Sequence, residues 1–395
     1  MKATLPGRIM RFFLHAVVIV LVVAVVGCIA PAIPLVGELG PGLVASFGPW
    51  MTIAALVVLA ALLLSYRRNG GRKAPTYAGL SAFALAGLIV ILSRQVGVAQ
   101  ANGVTIDLIQ TLGRGTQMDA SLQPVSVDYA QNGSENLPLD VYPTKPTTGG
   151  KPAPVLVYVH GGGWNAQTLR QRQADYRWFA ERGYLVVSIE YSLSSAQRHT
   201  WDVTQPQIGC ALGWIAANAA RFGGDPSRLA LWGESAGGNL VLNVAYLANA
   251  GKLVPSCTGR MPHISATMAL YPVIDVARMY HNPDWLIGRF GRMMTVNYTG
   301  GTPEQVPDRY AAVTPTTFIN AAAPPTLLIV PEADHLVVPE AAYAFADRAR
   351  AAGIETRLIR MPYAEHAFDL SSGSIGSQLV RQAMLRFLAE HGLKP

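Results

Sequence analysis

Three stretches of this chain, Phe12 to Gly37, Leu39 to Tyr66 and Ala74 to Ser93, carry no formal charge over at least 20 residues each. About 20 apolar residues in a helix span a hydrocarbon layer of roughly 30 Å. In that layer the backbone polar groups must bond within the segment, which a helix achieves. The stretches therefore predict three transmembrane helices, over about 12–33, 49–66 and 75–93. A Pro/Gly-rich loop from Gly37 to Pro49 would join the first two, and a basic loop with Arg67, Arg68, Arg72 and Lys73 the last two. A cleaved leader is the rival reading of the first stretch, since Lys2, Arg8 and Arg11 precede it and Ala30-Pro-Ala32 resembles a processing site. Its apolar run is long for a leader core and two further runs follow, but whether it is cleaved stays open.

Charge gives these helices a direction. Residues 1–100 hold eight Lys/Arg against the single acid Glu38, whereas the rest of the chain holds 23 of each sign, so the whole net charge of +7 sits in the first hundred residues. Basic residues that flank apolar runs are topology signals and do not form a nucleic-acid patch, which removes nucleic acid as a partner. The N-terminus and the Arg67–Lys73 loop are assigned to the cytoplasm, and three crossings then deliver the C-terminal part to the extracytoplasmic side. Arg94 weighs the other way but is one residue against four. On that side Cys210 and Cys257, the two thiols outside the first span, have the option of pairing, with two unrelated buried thiols as the alternative. The eight histidines are scattered and form no metal-ligand spacing, so the reading calls for no metal and no cofactor.

A membrane anchor over 1–98 and a linker over 99–124 are followed by a stretch in which strands and helices alternate. Val125–Tyr129 and Leu137–Tyr142 flank a turn at Asn132-Gly133, an opening antiparallel pair. Apolar strand runs follow at 155–159, 185–189, 228–232, 266–271, 326–330 and 356–360, with helical patterns between them. This rhythm predicts an α/β domain over 125–395, with a mostly parallel sheet covered by helices on both faces and functional residues at the carboxyl ends of strands. The segment from Asp275 to Ile319 breaks the rhythm and reads as an insertion, or cap, over the sheet.

Within that domain Gly233-Glu234-Ser235-Ala236-Gly237 places a serine between an apolar strand and an apolar-periodic helix. Small flanking residues there permit a strained turn that exposes the serine oxygen. A serine hydroxyl needs a base, and the base needs an acid to hold its tautomer. Of the four histidines between the serine and the last helix, His263 precedes a strand, His281 sits in the insertion, and His335 adjoins Asp334. His366, after the last strand, remains. Asp334, after the preceding strand, is the preferred acid, with Glu332 and Glu365 as rivals. His160-Gly161-Gly162-Gly163-Trp164 follows a strand about 70 residues before the serine. Glycines there let backbone N–H groups approach a substrate carbonyl oxygen.

With these motifs in view, 125–391 resembles the α/β-hydrolase fold, within it the hormone-sensitive-lipase-like and feruloyl-esterase-like carboxylesterases. The likeness rests on HGGGW, GESAGGN, Tyr271-Pro272 and the Asp334/His366 tail. It implies that Ser235 is the nucleophile, Asp334 the acid and His366 the base, with Gly162, Gly163 and Ala236 as backbone oxyanion donors. It also implies structural roles for His160, Glu234 and Asn239. Tyr191-Ser-Leu-Ser-Ser195 and Pro331-Glu-Ala-Asp-His-Leu336 depart from the family's Tyr-Arg-Leu-Ala-Pro and Asp-Pro-Leu patterns. The expected function is a membrane-tethered serine hydrolase of carboxylic esters, its substrate a small-molecule or lipid ester. The alternatives are an acyltransferase or deacylase acting on cell-envelope lipid or glycan, and a catalytically silent binding protein.

Overall fold

The computed structural model describes residues 5–69, 74–113, 123–144 and 150–395. Arg72, Lys73 and most of the second half of the expected linker lie outside them. The chain divides into two compact units. The first gathers the described part of Met1–Gly115 together with Pro331–Asp334 and Arg360–Val380, and the second comprises the remainder.

The first unit is built on three long helices, α1 (Leu5–Ile29), α2 (Val36–Asn69) and α3 (Ala74–Ala101). Each is long and apolar enough to cross a membrane. Residues 37–48, expected as a loop, are instead the start of α2, which runs through both Pro41 and Pro49. Packing explains why helix wins over proline there. A Cβ on Gly27 of α1 would lie 2.0 Å from the Val36 carbonyl, and one on Gly40 would lie 2.7 Å from the Gly27 Cα. Such backbone-to-backbone approach is how helices without a hydrophobic driving force associate. Ser81 Oγ donates to the Ala55 carbonyl at 3.0 Å, fastening α3 to α2. Leu21, Val25, Val44, Leu88 and Ile91 form the buried centre of this bundle. A short α4 (Leu108–Gly113) follows, and Gln378 bonds both to the Asp107 backbone and to Thr111.

The second unit carries an eight-stranded sheet of order β1-β2-β4-β3-β5-β6-β7-β8. Its strands are β1 (Val125–Asn132), β2 (Glu135–Tyr142), β3 (Ala153–Val159), β4 (Leu185–Ile189), β5 (Gly224–Glu234), β6 (Ile264–Leu270), β7 (Thr326–Pro331) and β8 (Thr356–Met361). β1 and β2 form the expected hairpin, with Asn132 opposite Glu135 across the turn. β2 is antiparallel to β4, while β3, β4, β5, β6 and β7 pair in parallel. Parallel strands need both faces covered, and every residue of β3, β4 and β7 is buried. The cover comes from α5 (Gln173–Ala180), α6 (Thr204–Asn218), α7 (Ala236–Asn249), α11 (Pro339–Ala351) and α12 (Ile375–Glu390). The 275–319 insertion contributes α8 (Val276–Tyr280), α9 (Ile287–Thr299) and α10 (Pro307–Ala312). Cys210 of α6 and Cys257 are joined as a disulfide with Cα atoms 5.3 Å apart.

Candidate active site

Ser235 sits where β5 ends and α7 begins, with φ 53° and ψ −119°. A positive φ is costly for a residue with a Cβ, of order 1–3 kcal/mol, and persists only where the surroundings impose it. Here they do so through three backbone bonds. Ser235 N donates to the Leu270 carbonyl at 2.9 Å, and its own carbonyl accepts from Asn239 N at 3.0 Å and Val273 N at 3.3 Å. The neighbours must be small because a Cβ on Gly237 would meet the Val159 and His160 carbonyls at 2.1 and 2.4 Å. Asn239 donates to the Val273 and Val313 carbonyls at 2.8 and 2.7 Å, tying the first turn of α7 to the insertion.

The glycine run lies against this elbow, where a Cβ on Gly161 would come to 3.0 Å from the Glu234 carbonyl. Gly162 has φ 89°, and a Cβ there would strike the Ala166 carbonyl at 2.2 Å. Among the described residues, no protein acceptor faces the backbone N–H groups of Gly162, Gly163 or Ala236. His160 braces the run. Its Nδ1 is 3.0 Å from the Gly161 carbonyl and its Nε2 is 2.6 Å from Glu190 Oε1. Tyr191 stacks on the ring at 4.2 Å and its hydroxyl donates to the His160 and Gly161 carbonyls. Burial, reinforced by the Glu190 carboxylate, pushes the Tyr191 hydroxyl well above its usual range, so it stays a donor. The insertion covers the run from outside: Trp164 stacks on Tyr298 of α9 at 4.4 Å, and a Cβ on Gly163 would meet Met294 Sδ at 2.4 Å.

Beneath the elbow is a chain of buried charges that sequence reasoning missed. Glu234 accepts from the Tyr158 and Tyr271 hydroxyls at 2.9 and 3.0 Å and pairs with Arg172 Nη1. Arg172 Nε reaches Asp175 at 2.7 Å, and Asp175 pairs in turn with Arg381 Nε at 2.5 Å. Arg172, at the start of α5, and Arg381, in α12, carry no motif, so nothing in the sequence pairs them with Glu234. Glu190 was legible in principle, since it follows β4 as His160 follows β3, and the two strands run parallel with Val159 opposite Ile189.

In the first unit, Asp334 and His366 are brought together, with Oδ2 of the acid 2.8 Å from Nδ1 of the imidazole. Two backbone bonds lead up to that contact, Glu332 N to the Met361 carbonyl and Ala333 N to the Ala364 carbonyl, both at 2.9 Å. The rival acids are otherwise engaged. Glu332 pairs with Arg360 at 3.0 Å, and Glu365 accepts the His366 backbone N–H at 2.8 Å. Among the other histidines, His281 pairs with Glu304 at 3.1 Å and His263 precedes β6 at its amino end.

The BD-FAE family profile matches residues 139–348. Esterase LipQ of Mycobacterium tuberculosis is 30% identical over 269 residues, which is 67% of this chain and 62% of that protein. The probable carboxylic ester hydrolase LipM of the same organism is 30% identical over 268 residues, 67% of this chain and 60% of its own. The chain thus spans about three fifths of these relatives. Among solved structures, a propionate-bound thermophilic esterase of the planctomycete Thermogutta terrifontis superposes with a TM-score of 0.57 at 23% identity, covering 70% of this chain and 97% of its own. That likeness shows the α/β-hydrolase fold.

Proposed function

The chain belongs to the BD-FAE family, and on that premise we propose that it is a serine hydrolase that cleaves carboxylic esters. Ser235 attacks the ester carbonyl while His366 takes its proton, forming the tetrahedral intermediate. The N–H groups of Gly162, Gly163 and Ala236 receive the developing oxyanion. Return of the proton from His366 to the leaving alkoxide gives the alcohol and an acyl-Ser235. Water, activated by the same imidazole, then releases the acid. Asp334 accepts from Nδ1 and keeps the Nε2 lone pair available for Ser235.

The observation that carries this reading is the backbone of Ser235, which is imposed at φ 53° at the head of α7. Strain of this kind at a serine set between a strand and a helix, with glycines on either side, is what a nucleophile elbow requires. The unclaimed N–H groups of Gly162, Gly163 and Ala236 support it, as do relatives named as esterases. The three apolar helices support a membrane anchor, and the basic residues that flank them support an N-terminus in the cytoplasm with the catalytic domain on the far side. The decisive experiment is turnover of a chromogenic short-chain ester by wild type and Ser235→Ala, with covalent labelling by a fluorophosphonate. Wild-type-like turnover or labelling in the variant sinks the proposal. A reporter active only outside the cytoplasm, fused after residue 100, tests the topology.

A further inference from the structure

We propose that Gln95, on the third apolar helix, is a positioning residue for His366, so that the helical bundle is a working part of the catalytic device and more than a tether. The inference rests on the reading of His366 as general base. Its own support lies wholly within the first unit. The Gln95 side chain is buried, 3% exposed, and its Nε2 donates at 3.1 Å to the carbonyl of Pro362, 267 residues away. Pro362 is itself buried and lies four residues before His366.

The segment around His366 is held in an uncommon backbone. Tyr363 and Ala367 have φ of 55° and 61°, one on each side of His366. Non-glycine residues adopt such angles only when their surroundings over-determine them. Tyr363, partly buried, packs against the α1–α2–α3 cluster that includes Leu21, Val25, Leu88 and Ile91. The fit against α2 is close, leaving a cavity of about 10 Å³ between Val44, Pro49, Ala364 and Phe368, the lower limit for a single water. Besides the backbone bonds from Glu332 and Ala333, the loop that carries the imidazole is therefore fastened at its entry by a polar bond supplied by α3 and by its own Tyr363 packed against the helices.

Loss of the amide leaves the buried Pro362 carbonyl without its donor, and an unpaired buried acceptor is relieved by moving the backbone that bears it. A displacement of about 1 Å at a catalytic group costs up to roughly a hundredfold in rate. A group that only stabilises the bundle would lower the melting temperature and leave turnover per folded molecule unchanged.

The test uses full-length protein in detergent micelles. Gln95→Met keeps the side-chain length and removes the donor. Gln95→Glu restores a donor only when its carboxyl is protonated, and Ser81→Ala removes an interhelical bond in the same bundle that does not involve the loop. Expected are a kcat for a 4-nitrophenyl ester about ten- to a hundredfold lower in Gln95→Met with KM unchanged, and slower fluorophosphonate labelling. Ser81→Ala should keep wild-type kcat, and the ratio of Gln95→Glu to wild-type kcat should rise as pH falls. Wild-type kcat in Gln95→Met overturns the inference while the esterase reading stands, and so does an equal loss in Ser81→Ala. Failure of both Gln95 variants to fold assigns Gln95 to stability and overturns it as well. Wild-type protein that neither turns over ester nor labels removes both readings.

Discussion

Nδ1 of His366 lies 2.8 Å from Oδ2 of Asp334, whose side chain has no exposed surface, while the imidazole keeps 15% of its own. If His366 is the general base, a fully enclosed carboxylate against a partly accessible ring would orient it without competing with it for substrate. Asp334→Asn would present a donor or a neutral oxygen to Nδ1 and select the wrong tautomer. We expect kcat to fall by about 10⁴ with little change in the far-ultraviolet circular dichroism. Retention of more than a tenth of wild-type kcat would give the role to Glu332 or Glu365.

Gly162→Ala adds a Cβ 2.2 Å from the Ala166 carbonyl at φ 89°, so the backbone itself has to shift. If the Gly162 N–H receives the oxyanion, kcat falls about 10²–10³-fold and KM changes little. An effect confined to KM would show that the glycine run binds substrate without stabilising the transition state.

Arg172 and Glu234 have side chains only 2% and 4% exposed. Removing one partner strands the other as a buried charge, at a cost of about 3–5 kcal/mol. Arg172→Met is therefore expected to lower the unfolding free energy by that amount. Joint replacement of Arg172 and Glu234 by apolar residues should cost less than the sum of the single changes. Strict additivity in this double-mutant cycle would show that the pair is not coupled.

Burial alone would raise the Asp175 carboxyl, but the guanidiniums of Arg172 and Arg381 outweigh it and hold it below its ordinary value. A group lowered on folding contributes stability that is complete above the unfolded pKa of about 3.9 and disappears as pH falls through the folded value. Wild type should therefore outperform Asp175→Asn at pH 6, with the gap in unfolding free energy closing below about pH 4. A gap that stays constant from pH 6 to pH 3 would contradict the linkage.

The Cys210–Cys257 bridge closes a loop of 47 residues, which chain-entropy reasoning values at about 2–4 kcal/mol. The Cys210→Ser, Cys257→Ser double variant should melt lower than wild type, and a reductant should lower the wild-type transition toward it. Identical melting with and without reductant would mean that the bridge does not form in solution.

Local patterns reached far into this molecule. Charge-free runs specify α1, α2 and α3, because their signal is length and composition, and alternation of apolar strands with periodic helices specifies the parallel sheet. Ser235, Asp334, His366 and the glycine run could be singled out as candidates because each follows an apolar strand. Three things were not legible. The start of α2 through Pro41 depends on Gly27 and Gly40 meeting backbone to backbone, which no propensity records. Arg172 and Arg381 converge on Asp175 although Arg381 lies 206 residues from it along the chain. Gln95 finds the Pro362 carbonyl across 267 residues. The sequence by itself determined which residues could do chemistry and which elements would carry them, since those follow from residue type and short-range periodicity. Tertiary structure alone decided what holds them, because a buried charge or amide takes its partner from whatever the fold packs against it, at any distance along the chain.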